Sequence, residues 1–85
     1  MYALAPEVTF TPAEHGAVLL HHRTGRYWLV NDTGATVLAS ILADGTITHA
    51  VDRLAEVYQD TPREQVEDHS RALMDKLVTA GLVTS

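Results

Sequence analysis

Five histidines are the side chains of this chain best suited to chemistry, because imidazole binds metals and exchanges protons near neutral pH. His21 and His22 are neighbours on a predicted strand, so their side chains point to opposite faces and do not share one ion. None of the five follows another by three or four residues, the spacing that pairs side chains on a helix, and cysteine is absent. We therefore predict no metal site and interpret all five as exposed side chains: His15, His21, His22, His49 and His69.

Hydroxyl and carboxylate side chains offer a second kind of chemistry, nucleophilic or acid–base catalysis. They fall mostly at predicted caps, turns and helix surfaces, where local hydrogen bonds to the backbone explain them. The chain has no G-x-S-x-G elbow, no phosphate-binding glycine loop and no dinucleotide fingerprint. We therefore expect a protein that is not an enzyme and that needs no cofactor.

The size and charge of the chain narrow its class further. Eighty-five residues with 46% hydrophobic side chains predict a single globular domain over residues 1–85. No stretch approaches about 18 apolar residues and no basic segment precedes a long apolar run, so we expect neither a membrane span nor a signal peptide. The absence of cysteine suits a reducing cytoplasm, where we expect the protein to act. The net charge of −5 argues against nucleic acid as a partner.

The strands that would position a binding site come first in the chain. Residues 1–7 lack a hydrophobic period and are expected to form a loose, flexible arm. Residues 8–10 predict a short strand that Thr11-Pro12 ends, since proline cannot donate to a central ladder. Residues 17–22 and 26–30 are two apolar runs joined by a short turn that contains glycine, which predicts a β-hairpin.

Three helices are predicted after the hairpin. Apolar residues recur at helical spacing over residues 33–43, behind Asn31 or Asp32 as the N-cap. A second amphipathic helix follows, with Thr46 or Thr48 as its cap.

The third predicted helix begins at a proline. We expect Thr61 to be its cap, with Pro62 at the first helical position and Glu64 completing a capping box. The helix runs to about Ala80, and Leu82-Val83 is expected to fold back on the core. Three strands followed by three helices predict an α+β fold, a three-stranded antiparallel sheet packed on three helices, similar to winged helix-turn-helix domains.

A winged helix-turn-helix shape would suit DNA binding, since the second helix of such a fold can enter the major groove. Residues 46–60 contain Arg53 as their one fixed cation, together with three carboxylates. Such a helix does not neutralise the several phosphates that give affinity for duplex DNA. We therefore expect no nucleic-acid partner.

The predicted strand over residues 26–30 is the best candidate for a binding site. Its side chains alternate, so that Trp28 and Val30 share one face and Tyr27 and Leu29 share the other, and both faces are apolar. Either helices cover both faces, or a partner does. If the strand lies at an edge of the sheet, its free main-chain groups form a template for an added peptide strand.

Several short motifs follow one another from Val8 onward and cover nearly the whole chain. They are Gly25-Arg-Tyr-Trp-Leu-Val-Asn-Asp-Thr-Gly-Ala35, the helix with Leu38, Ile41 and Leu42, the pair Asp44-Gly45, the helix from Leu54 to Tyr58, and Leu77-Val-Thr-Ala-Gly-Leu-Val83. In this order and spacing they resemble the PqqD-like family. Members of that family are recognition elements that bind the leader peptides of ribosomally made, modified peptides.

Within the family, the R-x-G-R-Y-W and N-x-T-G-A pattern is most similar to the small stand-alone leader-binding proteins of lasso-peptide biosynthesis. The resemblance implies a domain without catalysis, beside whose third strand the leader peptide of a precursor adds as a further strand, in a groove against the third helix. It also implies two partner enzymes, a leader-cleaving cysteine protease and an ATP-dependent macrocyclase.

The resemblance further implies which residues contact the leader. The family often has an acidic and then an aliphatic residue where this chain has His69 and Ser70, and often a polar residue where it has Leu29. Either these departures tune the choice of leader, or positions 69 and 70 face solvent. The implied peptide-binding residues are Tyr27, Trp28, Leu29, Val30, Val66, His69, Ser70, Leu73 and Met74.

Other functions remain open from the sequence. One is a PqqD-type peptide chaperone for another modified-peptide or quinone-cofactor pathway. A second is a winged-helix transcriptional regulator, whose binding would weaken steeply with salt. A third is a subunit-assembly module whose apolar strand is permanently buried in a larger enzyme, which would aggregate or oligomerise alone.

Overall fold

The protein has the predicted α+β architecture, with strands first and three helices after them. The computed structural model describes all 85 residues. In chain order its elements are β1 (Ala3–Leu4), β2 (Val8–Ala13), β3 (Gly16–His21), β4 (Tyr27–Val30), α1 (Asp32–Asp44), α2 (Ile47–Val57), α3 (Arg63–Thr79) and β5 (Val83–Thr84).

The main sheet is antiparallel and has the strand order β2-β3-β4. Its second hairpin confirms the prediction from the two apolar runs, and Leu19 of β3 lies opposite Trp28 of β4. Because β3 is central, both β2 and β4 are edge strands. The main sheet therefore has two open edges, one on β2 and one on β4.

The first residues of the chain are held by its last ones. Leu4 of β1 lies opposite Val83 of β5 in a separate two-stranded sheet, and the N–H of Ala5 donates to the carbonyl of Leu82 at 3.0 Å. The loose arm expected over residues 1–7 is thus partly a strand. Its partner lies at the opposite end of the chain, so no local pattern signals the pairing. The expected return of Leu82 and Val83 onto the core is confirmed, since both are buried.

Strand β2 continues through Thr11-Pro12, where the sequence predicts its end. The N–H of His22 donates to the carbonyl of Glu7, and hydrogen-bonding residues alternate along an antiparallel pair. By this alternation Thr11 faces β3, while Pro12 faces the outer edge, where no N–H is needed. Proline therefore does not end this strand but blunts its free edge against further pairing.

Helix α1 begins and ends at residues that the sequence marks. Asn31 is the N-cap, and its Oδ1 accepts from the N–H of Gly34 at 2.8 Å, while Asp32 is the first helical residue. Gly45 follows the last turn with a φ of +77°, and its N–H donates to the carbonyl of Ile41 at 2.7 Å. This left-handed conformation is the one that favours glycine after a helix.

Replacing Asn31 with alanine should lower the free energy of unfolding by about 1 kcal/mol, because the N–H of Gly34 loses its acceptor. In urea denaturation this loss should appear as a lower midpoint, with no change in the dependence of the unfolding free energy on urea concentration. Asn31→Ser is the matched control, since serine supplies a capping oxygen and should restore most of the stability. Equal destabilisation by both variants would show that the cap is not what stabilises this end of α1.

Helices α2 and α3 begin in different ways. Thr46, not Thr48, caps α2, with its hydroxyl accepting from the N–H three residues on at 3.4 Å. Helix α3 begins at Arg63, and Pro62 occupies the N-cap position without a side-chain cap. The expected capping by Thr61 does not occur, because this threonine lies one residue too far from the first turn.

The core lies between one face of the sheet and the three helices. Trp28 and Phe10 are half-buried and pack against it from the edge strands. Leu82 brings the end of the chain into the same cluster. The largest fully buried apolar side chains are Leu19, Leu38, Ile41, Val51, Leu54, Met74 and Leu82.

Candidate functional site

Strand β4 (Tyr27–Val30) has one partner, β3, and its other edge is unpaired. The opposite edge of the sheet, on β2, is blunted by Pro12, whereas β4 contains no proline. The structure therefore offers an open edge at the one strand whose residues suggested a binding site.

The main-chain groups of β4 divide between its two edges. The N–H of His21 donates to the carbonyl of Arg26 at 2.9 Å, so these opposed residues form a hydrogen-bonded pair. Because bonded and non-bonded pairs alternate, the register makes Trp28 and Val30 bond to β3. Tyr27 and Leu29 therefore direct their N–H and C=O groups toward the open edge.

The two faces of β4 differ in exposure. Trp28 and Val30 are half-buried on the face that packs on the core, whereas Tyr27 is 65% and Leu29 74% exposed. Helices thus cover one face of the strand and leave the other open. Exposed apolar side chains beside unpaired main chain are unfavourable in water, and a bound peptide would cover both.

A groove of about 420 Å³ runs between β4 and the C-terminal half of α3. Leu73 and Leu77 form its helical wall, one turn apart, and the strand forms the other wall. Its seven lining residues are Trp28, Leu29, Val30, Leu73, Lys76, Leu77 and Ala80, of which all but Lys76 are apolar. An apolar groove beside an open strand edge matches an extended peptide with alternate apolar side chains.

A second, smaller cavity of about 210 Å³ lies at the N-terminal end of α3, where this helix meets α1 and the end of α2. Three of its seven lining residues are hydrophobic, against six of seven in the groove. The lining residues are Thr33, Val37, Tyr58, Thr61, Gln65, Val66 and His69.

Six of the nine expected peptide-binding residues lie on one or other cavity. The groove contains Leu73 together with the strand residues 28–30, and the second cavity contains Val66 and His69. Tyr27 lines neither, although its main chain faces the open edge. His69 is exposed, so this departure from the family pattern does face outward.

Ser70 and Met74 do not reach either surface, because both are fully buried. The hydroxyl of Ser70 donates to the carbonyl of Val66 one turn earlier at 2.7 Å, which satisfies this buried polar group. In this structure neither side chain is exposed to a peptide.

Three groove residues do not appear among the expected ones: Lys76, Leu77 and Ala80. They follow Leu73 at three, four and seven residues, so they continue its stripe along the helix. Helical spacing from Leu73 would have found them. The residues implied by the resemblance end at Met74, before this part of the stripe.

No three histidine or carboxylate side chains lie close enough to hold a metal ion together. The ion pair between Arg71 and Glu67 lies outside the groove. The hydrogen bond that Arg71 donates to Glu67, one turn earlier on α3, raises the pKa of this arginine and keeps it charged. None of the three helices is long and apolar enough to cross a lipid bilayer.

Fold and groove together define a class, a small α+β domain with an open sheet edge beside an apolar groove. The chain belongs to the PqqD family, because the sequence model described as coenzyme PQQ synthesis protein D (PqqD) matches residues 16–83. This confirms the resemblance seen in the sequence. No curated protein matches the chain.

Two solved structures share the whole fold. A lasso peptide synthetase B1 complexed with the leader peptide is 28% identical, with a TM-score of 0.88 over 99% of this chain and 98% of the other. TbiB1 in complex with the TbiA(beta) leader peptide is 25% identical, with a TM-score of 0.84 over 98% and 95%. The similarity spans all the elements that form the groove.

Proposed function

We propose that this protein is a non-catalytic recognition element for the leader peptide of a ribosomally synthesised precursor, of the lasso-peptide type. The observation that carries the proposal is the open edge of Tyr27–Val30 beside the apolar groove. Both similar structures described above are complexes with leader peptides, which supports the same class of ligand here.

In this function the leader adds as a strand along β4. The outward N–H and C=O groups of Tyr27 and Leu29 bond to the leader's main chain and give affinity that depends little on sequence. Alternate leader side chains enter the groove between β4 and α3, where shape and apolar contact give selectivity. The exposed apolar surface of Leu29 is covered at the same time.

The affinity should be moderate. A disordered leader loses conformational freedom when it binds, which costs about 2–5 kcal/mol of the gross interaction. The domain is small and the groove short, so we expect dissociation constants between micromolar and tens of nanomolar, about −8 to −10 kcal/mol.

Binding becomes useful when a second protein acts on the held peptide. We propose that the leader is delivered to a leader-cleaving cysteine protease and an ATP-dependent macrocyclase. Holding the leader raises the effective concentration of the cleavage site near the protease without any chemistry by this chain.

Fluorescence anisotropy at low and high salt tests this function. The labelled probes are the synthetic leader of the precursor encoded beside the gene, a scrambled version of that leader, and a DNA duplex. We expect saturable binding of the native leader that changes little with salt. DNA binding would instead weaken steeply, since each neutralised phosphate adds about 0.9 to the slope of log K against log salt.

The controls decide between the candidate functions. Equal binding of the native and scrambled leaders would show that binding does not depend on the leader sequence. Salt-sensitive binding of the duplex would indicate a transcriptional regulator. No binding of any leader, together with aggregation in size-exclusion chromatography, would indicate a subunit that is buried in a larger enzyme.

A further inference from the structure

The fixed cations of this acidic chain fall into two groups. Of its six lysines and arginines, four lie within 4.0 Å of a carboxylate and two do not. The two without a carboxylate are Arg26, directly before β4, and Lys76 on α3. The pairs are Arg23 with Glu7, Arg53 with Asp44, Arg63 with Asp52, and Arg71 with Glu67.

Lys76 is the charged residue of the groove. Its six companions there are apolar, so nothing in the groove neutralises its ammonium group. The positions one turn before and after it on α3 are Ala72, Leu73, Thr79 and Ala80, none of which carries a charge. In a chain with eleven carboxylates, Lys76 is thus an exposed ammonium group with no carboxylate partner, set among apolar groove residues.

A bound peptide changes the surroundings of this ammonium group. When apolar leader side chains fill the groove, they displace water from one side of Lys76. Removing water from a charge is unfavourable unless an opposite charge or hydrogen-bond acceptor replaces it. A carboxylate of the peptide supplies both.

We propose that Lys76 selects leader peptides that carry an aspartate or glutamate side chain where the leader lies between β4 and α3. The inference rests on the proposed leader-binding function and adds one specific requirement to it. A leader with the correct apolar side chains but no carboxylate at this position leaves Lys76 without a partner, so the ion pair discriminates among leaders. One such pair adds a shallow salt dependence, far below that of contacts to many phosphates.

A double-mutant cycle between protein and peptide tests this inference. The probe is the synthetic leader of the precursor encoded beside the gene, with each Asp changed in turn to Asn and each Glu to Gln. Dissociation constants are measured by anisotropy for the wild-type protein and for Lys76→Gln. We expect one peptide change and Lys76→Gln each to weaken binding about three- to tenfold, the range of a partly desolvated ion pair. Together they should weaken it little more than either alone.

Arg71→Gln is the matched control, because it changes the net charge by the same amount on the same helix but lies outside the groove. It should leave leader affinity within about twofold of the wild type, since an exposed pair contributes little. Lys76→Arg should retain most of the affinity and the coupling. Lys76 lies in the last turn of α3, where its charge interacts favourably with the helix dipole and stabilises the helix. Thermal unfolding of each variant therefore separates an effect on binding from an effect on stability.

Several outcomes would overturn the inference. The first is an equal loss of affinity for Lys76→Gln and Arg71→Gln. The others are full binding of a leader that has no carboxylate and purely additive effects of the protein and peptide changes. In each of these cases the wild-type protein still binds the leader, and the proposed function stands. A wild-type protein that binds no leader would refute both.

Discussion

Replacing Leu29 with proline should weaken leader binding by at least about tenfold, or about 1.4 kcal/mol, and leave the fold intact. The N–H of Leu29 points to the open edge and makes no bond to β3, so proline removes a donor for the added strand without breaking the existing ladder. The ring also blocks the approach of a peptide carbonyl. Anisotropy with the labelled leader measures the loss.

Leu29→Thr is the matched control for this prediction. Threonine keeps the N–H and favours a strand, so it loses only the apolar contact, which we expect to cost about fivefold in affinity, near 1 kcal/mol. Circular dichroism and thermal unfolding confirm that both variants fold. Wild-type affinity in a folded Leu29→Pro protein would exclude strand addition at this edge, and equal losses in both variants would assign the effect to the side chain.

Replacing Gly16 with alanine should lower the free energy of unfolding by about 2–5 kcal/mol, a large part of the stability of so small a domain. Gly16 begins β3 with a φ of +124°, which side chains rarely adopt. A Cβ there would overlap the carbonyl oxygen of Val30 and lie 3.0 Å from its carbonyl carbon and 3.1 Å from that of Asn31. The expected loss combines backbone strain with the displacement of the last residue of β4.

The strain and the overlap can be separated with Gly81→Ala. Gly81 has a φ of +78° but no atom within 4 Å of an added Cβ, so we expect only the strain, about 1 kcal/mol. Chemical denaturation of both variants gives the comparison. If Gly16→Ala costs no more than Gly81→Ala, the close approach of Gly16 to Val30 does not determine stability. If it costs more, the same glycine positions the end of the strand to which the leader would bind.

The two edges of the main sheet differ in how well they are protected from further strand pairing. Pro12 blocks the edge of β2, whereas β4 presents free main chain together with two exposed apolar side chains. A sheet that only avoided aggregation would protect both edges. This asymmetry is the reason for proposing strand addition at β4 and not at β2.

Much of this protein could be predicted from its sequence, because short-range signals specify it. The hairpin follows from two apolar runs around a short turn, and α1 follows from Asn31, the helical spacing after it, and Gly45. The family could also be identified, since its motifs lie in order along the chain. All of these features depend on residues close together in sequence, where local geometry and hydrophobic periodicity act directly.

Tertiary structure decided what depends on distant residues. Leu4 pairs with Val83 across nearly the whole chain, so residues 1–7 show no local sign of a strand. The rotation of α3 against the core buries Ser70 and Met74 and turns Lys76 into the groove, although all three belong to one continuous helix. Spacing fixes which residues share a helical face, but only packing against the sheet and the other helices fixes which face is buried and which meets a ligand.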